Sequence, residues 1–149
     1  MATAGDILKH KGHQVWSVTP KASTLTALKM LKDKGVGALL VLDDSKIAGI
    51  VSERDIVRRI AETTMFDPNA NVEIYMTRKV QTVHPDQSVE ECMRLMTEYH
   101  IRHLPVVDGM QLIGLVSIGD LVNELIHDQV VMINSLENYI QGNETQYGH

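Results

Sequence analysis

Apolar positions along the chain alternate between two spacings. Leu25, Leu28 and Leu31 recur at helical intervals with Ala27 and Met30 beside them, which predicts a helix over 24–34 behind a Ser23 cap. Two near-continuous apolar runs follow, Ala38–Leu42 and Ile47–Val51, separated by the polar turn Asp43-Asp44-Ser45-Lys46. Runs of that length and bounding predict paired strands. Ser52 then opens a helix to about Ala61. Upstream, Gly5–Lys9 predicts a short helix, and the alternation Val15-Trp16-Ser17-Val18 predicts a strand. Residues 62–71, with Asp67-Pro68-Asn69, are turn chemistry and read as a connection.

The same order then returns. Val72–Met76 predicts a short helix, matching Gly5–Lys9 at an offset of 67, and Val80–Val83 a strand. Ser88 with Glu91 three residues on fits a capping box, opening a helix that would bury Val89, Cys92, Met93, Met96 and Tyr99. His103–Val107 and Leu112–Val116 flank the hairpin turn Asp108-Gly109. The last helix starts at Ser117 and is predicted to reach about Ile140. Leu121, Val122, Leu125, Ile126, Val130, Ile133, Leu136 and Ile140 keep an apolar stripe along it that must cover a core or a partner.

The repetition is literal. Gly49-Ile50-Val51-Ser52-Glu53-Arg54-Asp55 and Gly114-Leu115-Val116-Ser117-Ile118-Gly119-Asp120 lie 65 residues apart. The same offset pairs Pro20 with Pro85, Ser23 with Ser88, Leu39 with Leu104, Val41 with Val106 and Asp43 with Asp108. The chain is one unit built twice, and function is expected where the units meet.

Each motif places Ser and Asp at the start of a helix directly after a strand. An ionised Asp carries two acceptor oxygens, able to take both hydroxyls of a ribose. A Ser hydroxyl and unpaired N–H groups at a helix N-terminus attract phosphate. Ser-x-x-Asp is also a capping box in its own right, and the two readings are compatible.

The copies differ where phosphate would lie. Arg102 and His103 stand where the first copy has Gly37 and Ala38. Arg offers a planar fork of donors, and His adds charge when protonated. The alternative for Arg102 is a surface residue paired with an acid. Arg54 and Arg58 are the first copy's own candidates for phosphate, against a merely solvated basic face.

Composition narrows the classes. The chain has 149 residues, a net charge of −5, a pI near 5.7 and one cysteine. No global positive field favours nucleic acid, and no internal disulfide can form. No apolar run reaches the length of a membrane span, and Met1–His10 lacks a secretory pattern, so no membrane insertion and a cytoplasmic location are expected. The seven histidines form no zinc set with Cys or carboxylates, and Cys92 reads as buried and inert. No nucleophile–base–orienter set, Gly-x-Gly-x-x-Gly or Walker loop is present, so no catalytic residue, metal or catalytic cofactor is assigned.

With these elements in place, the chain resembles a tandem pair of cystathionine-β-synthase (CBS) domains, a Bateman module. The two Gly-apolar-apolar-Ser-x-x-Asp stretches carry the resemblance, together with Met76-Thr77 and Ile101-Arg102-His103-Leu104-Pro105-Val106-Val107-Asp108. It covers about residues 4–128. It implies an α+β fold of two βαββα motifs related by a pseudo-two-fold axis, here with an extended C-terminal helix. The expected divisions are 4–62, 72–128 and an extension over 129–149.

The resemblance further implies two clefts for an adenine nucleotide: AMP, ADP, ATP, NAD or S-adenosylmethionine. Asp55 and Asp120 would bind ribose, and Ser52 and Ser117 would sit near ribose or phosphate. Trp16, Val18 and Val36, and Val80 with Ile101, are the candidates for holding the base, and Thr77 joins the set as part of the motif. The cleft with Asp120 and Arg102 is expected to hold phosphorylated adenosine more tightly. A regulatory, non-catalytic module follows, acting on an effector protein in trans; the apolar runs Ala38–Leu42 and Ile47–Val51, with the uncovered C-terminal stripe, add the expectation of a homodimer. A structural or protein-interaction domain with unoccupied clefts is the alternative.

Overall fold

The structure, a computed structural model, describes residues 2–147, with side chains described for residues 2–141. The far end of the expected 129–149 extension, including His149, lies outside the described residues. The elements, in chain order, are α1 (Ala4–Lys11), β1 (Ser17–Val18), α2 (Thr24–Lys34), β2 (Ala38–Asp43), β3 (Lys46–Ser52) and α3 (Glu53–Thr63). A 3-10 turn at Val72–Ile74 precedes α4 (Val89–Tyr99), β4 (His103–Asp108), β5 (Gln111–Ser117) and α5 (Ile118–Tyr147).

Packing divides the chain into two compact units. The first is Gln14–Thr82, and the second joins the residues up to His13 with those from Val83 onward. The leading segment of each sequence repeat therefore packs in the other unit. Three backbone hydrogen bonds in each unit show how. In the first unit Thr24 N–H donates to Ala70, Val72 N–H to Ala22, and Glu73 N–H to Pro20. In the second, Val89 N–H donates to Ala2, Ala4 N–H to Gln87, and Gly5 N–H to Pro85. The same bonds recur with leading segments offset by 68 residues, not the 67 expected from the apolar pattern.

In the first unit β1 runs parallel to β2, and β2 pairs antiparallel with β3. Val18, Ala27, Leu31, Leu39, Val41, Val51, Ile56 and Val72 form its core with Tyr75 and Met76. In the second unit β4 pairs with β5, and Ile7, Leu8, Val89, Cys92, Met96, Leu104, Val116 and Leu121 fill the core. Both hairpins shift register at matching places, Val41/Leu42 and Val106/Val107. Alternate strand positions point to one face, so such a shift re-aims the residues beyond it.

The strand expected over Val80–Val83 does not form. Only Val83 bridges to Val106, in parallel, with Val83 N–H donating to Pro105 and Val107 N–H to Val83. In the first unit Leu40 N–H donates to Trp16 and extends β1. The residue matching Leu40 is Pro105, which has no N–H to give, so the ladder stops after one bridge. The expected burial of Tyr99 also fails. Tyr99 is exposed, as is Leu25, because the faces that pack inward are Thr24, Ala27 and Leu31 on α2 and Val89, Cys92 and Met96 on α4. The turn at 72–74 is shorter than the helix expected over Val72–Met76.

α5 runs past the expected end at Ile140 to Tyr147. Leu121 is buried and Leu125 packs against the core. Beyond them Ile126, Val130, Ile133, Leu136 and Ile140 are about half exposed in the single chain. Among the described residues no helix is long and apolar enough to cross a membrane.

Candidate functional site

Each motif glycine sits under a packed leading segment. A Cβ on Gly49 would lie 2.6 Å from Met76 Sδ and 2.8 Å from the Thr77 carbonyl oxygen. A Cβ on Gly114 would lie 2.5 Å from Leu8 Cδ2. Met76 and Leu8 are matching residues at the 68-residue offset, so both units use Gly for the same close approach.

In the first unit Thr77 is fixed against β3, exchanging both backbone hydrogen bonds with Ile50, at 2.8 and 3.0 Å. β3 ends at Ser52, which caps α3. Ser52 Oγ accepts from Asp55 N–H at 3.2 Å, and Asp55 Oδ2 accepts from Ser52 N–H at 3.0 Å and from Ser52 Oγ at 2.9 Å. A cap of this kind contributes about 1 kcal/mol. Glu53 N–H donates to the Gly37 carbonyl, so Gly37 lies at the head of α3. Asp55 is half-buried, while Arg54 and Arg58 are exposed on α3. Val18 belongs to the core, and Val36 and Trp16 pack at its margin. Lys34 Nζ stands 4.3 Å from the centre of the Trp16 ring, a cation–π contact that occupies one face. Val80 is half-buried in this unit.

The second unit repeats the cap. Asp120 Oδ2 accepts from Ser117 N–H at 2.8 Å, and Ser117 Oγ accepts from Asp120 N–H at 3.2 Å. Ile118 N–H donates to the Arg102 carbonyl at 2.8 Å, so Arg102 occupies at α5 the place Gly37 has at α3. The expected difference in phosphate equipment thus falls at equivalent backbone positions. Arg102 is exposed; His103, half-buried, pairs in register with Ser117, and Ile101 packs against the core.

One participant escapes sequence reading. Lys11, at the end of α1, places Nζ 2.7 Å from Asp120 Oδ2 and 2.9 Å from the Leu115 carbonyl. Beside it His10 Nδ1 lies 3.4 Å from Glu124 Oε2, and His13 Nδ1 2.9 Å from the Ile113 carbonyl. The available signal was the basic end of α1, but nothing local says which carboxylate it meets. In both motifs every hydrogen bond to the Asp uses Oδ2, and among the described residues Oδ1 accepts none.

Other reactive groups are placed differently. Burial, and then the neighbouring Glu91, push the Cys92 thiol up to about 11, which keeps it protonated and a poor nucleophile. Hydrogen bonds from the Thr3 backbone and side chain hold the Asp6 carboxyl below the usual range, as the cap of α1. An apolar pocket of about 430 Å³ lies against α2 and α3, lined by Leu28, Leu31, Ile56, Ile60 and Phe66. None of the expected nucleotide-binding residues lines it. Among the described residues no group of three or more His, Cys, Asp or Glu is placed to hold a metal ion.

Comparison with known proteins agrees with this architecture. The CBS domain family pattern matches residues 3–62 and 71–127. The solved structure of a CBS-domain protein from Burkholderia ambifaria MC40-6 is 49% identical, with a TM-score of 0.82, covering 86% of this chain and 96% of that one. The CBS domain pair of protein MJ0100, solved with 5′-methylthioadenosine and S-adenosyl-L-methionine, is 27% identical at a TM-score of 0.74, covering 87% and 98%. CBSX2, solved in complex with AMP, is 28% identical at a TM-score of 0.69, covering 87% and 99%. With the duplicated strand–cap–helix motif, the repeated packing and two consecutive family matches, the chain belongs to the CBS-domain family and carries the domain twice in tandem.

Proposed function

We propose that the chain is a non-catalytic sensing module that binds adenosine-containing ligands at its two Ser-x-x-Asp motifs. The ligand class is AMP, ADP, ATP, NAD or S-adenosylmethionine. One observation carries the reading: each motif fixes its Asp through Oδ2 and leaves Oδ1 as an acceptor at a strand-to-helix junction. A carboxylate already oriented by its cap can accept ribose hydroxyls without giving up the cap. Relatives of the same fold, crystallised with AMP and with adenosyl sulfur compounds, support the ligand class.

On this reading Asp55 and Asp120 take ribose, with Ser52 and Ser117 holding them. Arg102 serves phosphate at the second motif, and Arg54 or Arg58 at the first. Trp16, Val36, Val80 and Ile101 are the apolar residues offered to a base. The half-exposed stripe of α5 holds two copies together, and ligand state passes to an effector protein in trans.

A thermal-shift panel tests the ligand class. A ligand at 100 times its dissociation constant adds about 2.7 kcal/mol to stability. AMP or S-adenosylmethionine should raise the unfolding temperature, and inosine monophosphate should do so less. No shift with any adenosine compound at millimolar concentration would contradict the proposal.

A further inference from the structure

The two motifs are alike in sequence and backbone but not in charge. At the second, the Lys11 ammonium bonds Asp120 Oδ2 and the Leu115 carbonyl. At the first, the carbonyl matching Leu115 is that of Ile50, and the Thr77 N–H takes it. The asymmetry comes from the leading segments. α1 is a full helix from Ala4 to Lys11, whereas its counterpart is the short turn Val72–Ile74. The residue matching Lys11 at the 68-residue offset is Lys79, and among the described ion pairs none joins it to Asp55.

Building on the proposed function, we propose that Lys11 sets the charge selectivity of the second motif, which accepts anionic adenosine phosphates and rejects cationic adenosyl sulfonium compounds. An ammonium has three donors, and Lys11 directs two of them to protein oxygens, so one remains for a ligand. A ribose held by Asp120 Oδ1 puts its 5′ substituent within several ångströms of that ammonium. A phosphate there is attracted and a sulfonium repelled. At about 6 Å, with an effective dielectric between those of water and a protein surface, the difference is on the order of tenfold for each ligand. Arg102, at the head of α5, adds to the same sign. The first motif has Glu53 next to its capping Ser52 and, among the described residues, no ammonium on Asp55, so its preference for anions rests on the exposed Arg54 or Arg58 alone and is the weaker of the two.

The test reads the second motif alone in an Asp55→Ala chain, by calorimetric titration with AMP, adenosine and S-adenosylmethionine. Adding Lys11→Met should shift the AMP-to-S-adenosylmethionine affinity ratio about tenfold or more toward the sulfonium and leave adenosine within a few-fold. Lys11→Arg should keep the preference, and added salt should shrink it. Lys11→Gln, which keeps a donor and drops the charge, gives the same comparison should Lys11→Met fail to fold. An unchanged ratio in the uncharged variants, with binding retained, overturns the selectivity role and makes Lys11 only a tie between α1 and α5. If the unaltered chain binds none of the three probes, the nucleotide reading itself falls, and this inference with it.

Discussion

Asp55 and Asp120 each close a helix cap and, on the proposed reading, also take a ribose; the capping half is local. The reciprocal bonds to Ser52 and Ser117 span three residues, which is why the caps were legible in the sequence. The Lys11–Asp120 pair spans 109 residues and depends on α1 packing in the second unit, so no local pattern could disclose it. The motif glycines answer to the same packing. Gly49→Ala should destabilise the chain by about 1–3 kcal/mol, as overpacking does. It should cost more than Gly114→Ala, because the added methyl meets the Thr77 backbone carbonyl, which is tied to Ile50, as well as Met76. Urea unfolding of the two variants measures this, and an equal or smaller loss for Gly49→Ala would contradict the packing argument.

Among the elements, helices and hairpins followed their apolar spacing, and the failures have specific causes. The strand over Val80–Val83 shrank to a bridge because of a proline 22 residues beyond Val83, outside any window over the strand itself. Leu25 and Tyr99 sit at helical spacing beside buried residues but just off the face that packs. Among the described residues of α5, the apolar ones beyond Leu125 belong to no core of the single chain. Eight large apolar residues from Ile126 to Ile140 stay about half exposed or more, more than a monomer ordinarily leaves on one helix. Truncation after His127 removes most of that stripe and spares Leu121, Leu125 and the cap at Ser117. Light scattering should show the full chain as a dimer at micromolar concentration and the truncated chain shifted toward monomer. A full chain of monomeric mass, or a truncated chain that dimerises as well, would remove α5 from the assembly.

At the scale of the whole molecule, a duplicated motif yields two strand-to-helix junctions with unequal charge. The duplication was legible as a 65-residue offset, and the family followed from it. The exchange of leading segments was not, because chain order places α1 with the first repeat while its hydrogen bonds place it with the second. That exchange brings Lys11 to Asp120 and makes the second junction differ from the first.

The most direct measurement is calorimetric titration of the full chain with AMP, compared across Asp55→Ala, Asp120→Ala and the double variant, each checked for retained helix content. Each single change should weaken or remove one binding event. Asp120→Ala should remove the tighter one, since a charge-assisted bond from Arg102 or Lys11 contributes roughly 1.5–3 kcal/mol there. The folded double variant should bind nothing. An AMP titration unchanged in the double variant would show that both Ser-x-x-Asp motifs are helix caps and no more.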